Sequence, residues 1–126
     1  DMLLSALRQA GVRRLLVTGG AGSLQVAPGV ALIDTPEFPQ EWKAFAEGGV
    51  AFLNALRSER DIDWTFFSPA ADIFEGPRTG HFRLGGDALV TDDAGNSRIS
   101  FADYAIAMVD ELEHHRHPHA RFTAAY

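Results

Sequence analysis

Apolar positions along this chain follow two rhythms, one near 3.6 residues and one in short unbroken runs. Residues 2–10 set Leu3, Leu4 and Leu7 on one helical face with Arg8 and Gln9 opposite, which predicts a helix that Gly11 ends in a left-handed cap. Arg13-Arg14 then lead into Leu15-Leu16-Val17, a run short enough for a strand covered on both faces. A long helix is predicted from Pro39 or Gln40 to Ser58, with Trp42, Phe45, Gly49, Phe52, Leu53 and Leu56 at helical spacing and Glu41 at the positive end of its dipole. Gly48-Gly49 in its middle cost roughly 1 kcal/mol each against alanine. They therefore predict a close backbone approach, to the sheet or to another subunit. Trp64-Thr65-Phe66-Phe67 is a second buried strand that stops at Ser68-Pro69.

The second half is more broken. Val30-Ala31-Leu32-Ile33 is expected to be extended within an irregular stretch, 23–38. Residues 81–84 and 88–91 are expected to form a β-hairpin excursion, followed by a turn at Asp92-Asp93-Ala94-Gly95-Asn96. Ser100 and Asp103 form a capping-box variant, the hydroxyl accepting from the Asp103 amide and the carboxylate reaching back. The helix it opens runs to about His114 and is expected to bury Phe101, Tyr104, Ala105, Met108, Val109 and Leu112. Residues 122–125 suit a final strand. This order of elements is α/β.

Composition narrows the function classes. A chain of 126 residues, 46% of them apolar, is one domain with an ordinary core. A net charge of −6 argues against nucleic acid and anionic membranes, and leaves a small molecule as the expected partner. The absence of cysteine removes disulfides and thiolate chemistry, and a reducing cytoplasm is the natural compartment. The first residues, Asp1-Met2-Leu3-Leu4, read like a helix already under way, so a preceding segment is expected. A homodimer is one arrangement that the glycine pair would serve.

The segment Arg14-Leu15-Leu16-Val17-Thr18-Gly19-Gly20-Ala21-Gly22-Ser23-Leu24 carries the strongest chemical signal. A buried strand entering a glycine-rich bend is how nucleotide-binding α/β folds bring main-chain amides to a ligand. The fingerprint G-x-G-x-x-G fails here: begun at Gly20, it meets Gln25 in the third glycine position, and Pro28-Gly29 follow where a phosphate-binding helix would start. The bend is therefore expected to line a pocket rather than to cradle a pyrophosphate. Residues 68–71 form a second small-residue bend after a strand. If the two strands are neighbours, both bends border one crevice, with Thr18, Ser23 and Ser68 offering hydroxyls; ordinary turn chemistry is the competing explanation.

Other candidates are weaker. The tyrosine–lysine pair four residues apart, in which lysine eases proton exchange by a phenol, is missing: Met108 stands four residues after Tyr104, and Tyr126 is the last residue. Lys43, the sole lysine, is a candidate ligand contact or a solvated side chain. His81 lies in a segment that would make a substrate flap or an edge hairpin. The histidines at 114, 115, 117 and 119 match no zinc spacing, so no metal is expected. No catalytic acid or base is assigned.

Taken together, Gly19-Gly20-Ala21-Gly22-Ser23-Leu24, Asp34-Thr35-Pro36, Asp63-Trp64-Thr65-Phe66-Phe67-Ser68-Pro69-Ala70, Arg78-Thr79-Gly80, Leu84-Gly85-Gly86-Asp87 and Ser97-Arg98-Ile99-Ser100 with Asp103-Tyr104-Ala105 resemble the carboxyl-terminal half of atypical short-chain dehydrogenase/reductase proteins. The subgroup is the NADH-flavin reductase-like one, similar in plan to biliverdin reductase B. The resemblance implies a three-layer Rossmann-like fold with a parallel sheet, NAD(P)H as cofactor, and FMN, FAD or another conjugated molecule as hydride acceptor. It places Gly19, Gly20, Ala21, Ser23, Ser68, Pro69 and Ala70 near the nicotinamide, and residues 78–87, with His81, on the substrate side; Lys43, at the start of the long helix, is the other candidate substrate contact. The family's amino-terminal glycine loop and first strands have no counterpart in this sequence. Residues 1–126 are thus expected to be the carboxyl-terminal portion of such a domain, with weakened dinucleotide affinity. A non-catalytic NAD(P)-binding sensor or scaffold is the alternative.

Overall fold

A computed structural model describes residues 2–126. The first helix, α1 (Met2–Ala10), ends as its sequence dictates: Gly11 sits at φ +74°, its N–H donating to the Arg8 carbonyl while the Val12 N–H donates to Leu7. Strand β1 (Arg14–Thr18) follows, then a small antiparallel pair, β2 (Gln25–Ala27) and β3 (Val30–Ala31), and a single 3₁₀ turn at Leu32–Asp34. Helix α2 (Gln40–Arg57) crosses back to β4 (Asp63–Ser68). After β5 (Asp72–Phe74), β6 (Arg83–Gly85) and β7 (Arg98–Ser100), helix α3 (Phe101–His114) leads to β8 (Ala120–Ala125).

The main sheet has the order β1-β4-β8-β6, its first three strands parallel and β6 antiparallel to β8. Strand β4 is central, and its alternation divides the core. Trp64 and Phe66 face α1 and α2, packing with Leu4, Leu53, Leu56 and Ile62. Phe67 faces α3, its ring stacked at 4.2 Å on both Tyr104 and Phe122. Burying each such phenylalanine is worth about 1.5–3 kcal/mol. The architecture is the three-layer α/β arrangement expected.

Parallel pairing also decides where the bends go. Thr18 stands opposite Phe67 in the parallel β1–β4 register, so both strands leave the sheet at the same end. The Gly19 N–H donates to the Phe67 carbonyl at 2.8 Å and carries the pairing one residue into the bend.

Several expectations are corrected. Strand β1 is half-buried, because it forms the edge of this sheet. Residues 81–91 do not fold back on themselves as a hairpin: β6 pairs with β8, and Ala88 bridges Gln25 instead. Only Val30 and Ala31 of the 30–33 stretch are extended. A Cβ at Gly48 or Gly49 would meet nothing within 4 Å, so no tight helix–sheet contact required that pair. In α3, Asp103 and Glu111 take inward positions with Ala107, leaving Phe101, Ala105, Val109 and Leu112 exposed. Both carboxylates turn inward because backbone N–H groups bind them there, Thr79 and Gly80 at Asp103 and His117 at Glu111. The turn at 92–96 forms as expected, with Gly95 at φ +86° and the Asp92 carboxylate accepting from Ala94 and Asn96.

Candidate functional site

The two bends meet. A cavity of about 1000 Å³ is lined by residues 17–23 on one side, by Pro69, Ala70, Ala71 and Ile73 on the other, and by the outer face of α2 along its length. That volume lies at the upper end of ordinary small-molecule sites. Its walls are largely glycine, alanine and aromatic carbon, with Phe38, Trp42, Phe45 and Phe52 along α2 and its approach. Trp42 and Phe45 are 59% and 90% exposed and stand at the cleft mouth, while Leu53 and Leu56 of the same helical spacing enter the core.

Glycine is required at one point in the bend. A Cβ on Gly19 would lie 2.1 Å from the Phe66 ring, which fills the space beneath the loop. At Gly20 the same atom would meet nothing within 4 Å. The main-chain N–H groups of Gly20, Ala21, Gly22 and Ser23 have no partner among the described residues. Four consecutive main-chain N–H groups without a partner among the described residues thus belong to the lining of an apolar cavity. Such donors suit an amide or an anionic oxygen on a largely apolar ligand.

The hydroxyls behave differently from expectation. Ser23 Oγ accepts from Arg121 Nη1 at 2.7 Å, and Ser68 Oγ accepts from the same nitrogen at 3.3 Å. Ser68 is fully buried and stands behind the cavity wall. Both side chains are engaged inside the protein, and among the described residues Thr18 is the hydroxyl residue that lines the cleft without such a bond. Gly19, Gly20, Ala21, Ser23, Pro69 and Ala70 are thus gathered at one cavity. Lys43 lines a neighbouring cavity of about 680 Å³, with Glu47, Asn54, Arg57 and Asp87. His81 lines neither; its N–H donates to Thr79 Oγ1 on an exposed loop.

Titrating groups are few in the cleft, Glu37 being the one carboxyl among its described lining residues. Tyr104, the nearest phenol by sequence logic, donates to the Phe67 carbonyl at 2.6 Å, and burial pushes its pKa well above the ordinary tyrosine range. It is a structural hydroxyl. The histidines each find a local role. His115 Nε2 pairs with Asp63 at 2.6 Å, and His117 Nδ1 with Glu111 at 2.7 Å, while the His117 ring stacks on Phe122. Burial opposes charge on Glu111, but bonds from His117 hold it below the usual carboxylate range. Among the described residues, no cluster of three or more histidine, aspartate or glutamate side chains is placed to hold a metal.

Arg121 was not picked out by the sequence, where it is one charge inside the apolar run 120–125. Burial lowers its pKa, partly offset by Asp87, whose own pKa is lowered against burial by Arg57 and Arg121. No helix among the described residues is long and apolar enough to cross a membrane.

No protein-family model matches the chain. An uncharacterized protein of Bacillus subtilis, YwnB, is 49% identical over 125 residues, covering 96% of this chain and 58% of that protein. Among solved structures, a candidate epimerase from Bacteroides thetaiotaomicron superposes with a TM-score of 0.94 at 50% identity over 98% of this chain and 58% of its own. A candidate exported protein from Burkholderia pseudomallei gives 0.93 at 52%, over 98% and 60%. A candidate NADH-flavin reductase from Streptococcus pneumoniae gives 0.83 at 43%, over 89% and 55%. The chain thus spans little more than half the length of the proteins it matches, and corresponds to their carboxyl-terminal portion.

Proposed function

We propose that this chain, a carboxyl-terminal portion of the NADH-flavin reductase-like short-chain dehydrogenase/reductase family, forms the nicotinamide and acceptor side of an NAD(P)H-dependent oxidoreductase. The observation that carries the reading is the pair of strand-end bends opening on one apolar cavity with unbonded amides at 20–23. A nicotinamide fits those groups: a planar, apolar ring with a carboxamide that takes main-chain donors. When bound, NAD(P)H supplies a hydride. The residues of the chain position and exclude water: the bend at 19–23 supplies donors and shape, the bend at 69–71 closes the opposite wall, and Phe38, Trp42 and Phe45 offer flat carbon to a second ring.

The scarcity of acid–base groups fits an acceptor that needs little proton help from the protein, such as FMN, FAD or a quinone. A cytoplasmic setting, where NAD(P)H is abundant, goes with this reading. The same scarcity favours a second reading, in which the protein binds NAD(P)(H) as a sensor or scaffold without turnover. An assay of NADPH and NADH oxidation with FMN, FAD and quinone acceptors separates the two. Acceptor-dependent oxidation is expected for the enzyme; cofactor binding with no oxidation across the panel would overturn it.

A further inference from the structure

We infer that Arg121 is the positioning residue of the cleft, one guanidinium fixing the spacing between its two bordering bends. Its side chain is 2% exposed, on a strand whose neighbours Phe122, Ala124 and Ala125 are core. A buried charge is an expensive way to fill such a place, since a well-packed apolar side chain commonly serves stability as well or better. What an apolar side chain lacks is directed donors. All five of this one's are used: Nε to Asp87 Oδ1 at 3.0 Å, Nη1 to Ser23 Oγ and Ser68 Oγ, and Nη2 to the carbonyls of Ser23 at 3.2 Å and Asp87 at 3.3 Å.

Those partners come from three separate parts of the chain. Ser23 ends the glycine bend, Ser68 begins the bend after β4, and Asp87 follows β6. Asp87 is in turn tied to α2 by Arg57 at 3.0 Å, while its carbonyl accepts from the Gln25 N–H at 2.8 Å and Leu89 donates back to the Gln25 carbonyl. A rigid planar fork transmits a fixed geometry across these contacts in a way that the flexible, point-charged lysine does not.

The effect on a ligand rests on the nicotinamide reading above; the brace itself does not. The test compares Arg121→Lys, Arg121→Met and Ser23→Ala with the parent chain in two measurements. Hydrogen exchange is followed at the bonded amides of Leu24, Gln25 and Leu89, with those of Gly11 and Val12 as distant controls, and NADPH affinity is followed by fluorescence titration. Exchange at the first three is expected to quicken at least tenfold in Arg121→Lys with the controls unchanged, and the NADPH Kd to rise tenfold or more; Ser23→Ala gives a smaller rise in Kd, about threefold. Unchanged exchange, or an equal increase at the controls, would overturn the brace. Local loosening with unaltered NADPH affinity would overturn its positioning role. A parent chain that binds no NADPH refutes the cofactor reading, and the exchange data still decide the brace.

Discussion

The hydroxyl of Tyr126 donates to Asp103 Oδ2 at 2.5 Å and at the same time accepts the Ser100 N–H at 3.2 Å, occupying the place where a capping carboxylate would reach its own helix start. The Ser100 half of the capping box forms as expected, with the Asp103 N–H donating to Ser100 Oγ at 3.1 Å. The carboxylate is thereby released to hold a distant loop, accepting from the Thr79 hydroxyl and from the N–H groups of Thr79 and Gly80.

This arrangement predicts an acid-sensitive loop. Burial disfavours the charged form of Asp103, but the bonds from Tyr126, Thr79 and Gly80 outweigh it and lower its pKa to about 2. The folded value lies below the unfolded one, near 3.9, so the stabilisation is complete above about pH 4 and is lost as pH falls toward 2. Acid unfolding followed by circular dichroism is expected to steepen across that window. Tyr126→Phe shifts the midpoint upward, and Asp103→Asn flattens the dependence there while lowering stability at neutral pH.

Neighbouring glycines in the bend are expected to respond in opposite ways to the same change. Gly19→Ala drives a methyl into the Phe66 ring and costs about 1–3 kcal/mol or displaces the bend. Gly20→Ala meets open space, and its stability stays within about 0.5 kcal/mol of the parent. Urea denaturation of the two variants checks the contrast.

Much of this was legible beforehand, for identifiable reasons. The helix-ending Gly11, the β4 run and the two strand-end bends are set by local rules of backbone and apolar spacing, and parallel pairing then carries both bends to one end of the sheet. What escaped notice depends on distant partners. The inward Asp103 and Glu111 are polar residues whose burial follows from loops 20 or more positions away or from the far side of a turn. Trp42 and Phe45 have core spacing, yet line an open cleft. Arg121 looks like any strand charge until Ser23, Ser68 and Asp87 surround it.

Tyr104 tests the assignment of a cleft without a phenolic acid. Tyr104→Phe removes one bond to the Phe67 carbonyl, which keeps its bond from Gly19, so a loss of about 1 kcal/mol in stability is expected. Acceptor-dependent NADPH oxidation is expected to stay within about twofold of the parent. A hundredfold fall in kcat would make this phenol a proton donor after all.

The exposed aromatics at the cleft mouth predict a split between binding and folding. Trp42→Ala and Phe45→Ala are expected to raise the KM for FMN several-fold, while thermal melting shifts little because both side chains are exposed. Steady-state kinetics beside a melting curve reads both.

The central claim is that unbonded main-chain donors at the glycine bend, facing residues 69–71, receive the ligand. Amide chemical-shift mapping during titration with NADPH tests it most directly. The account predicts the largest shifts at Gly20, Ala21, Gly22, Ser23 and Ala70, together with the Trp42 indole. Shifts confined to the Lys43–Arg57 cavity, with those amides unmoved at saturation, would contradict it.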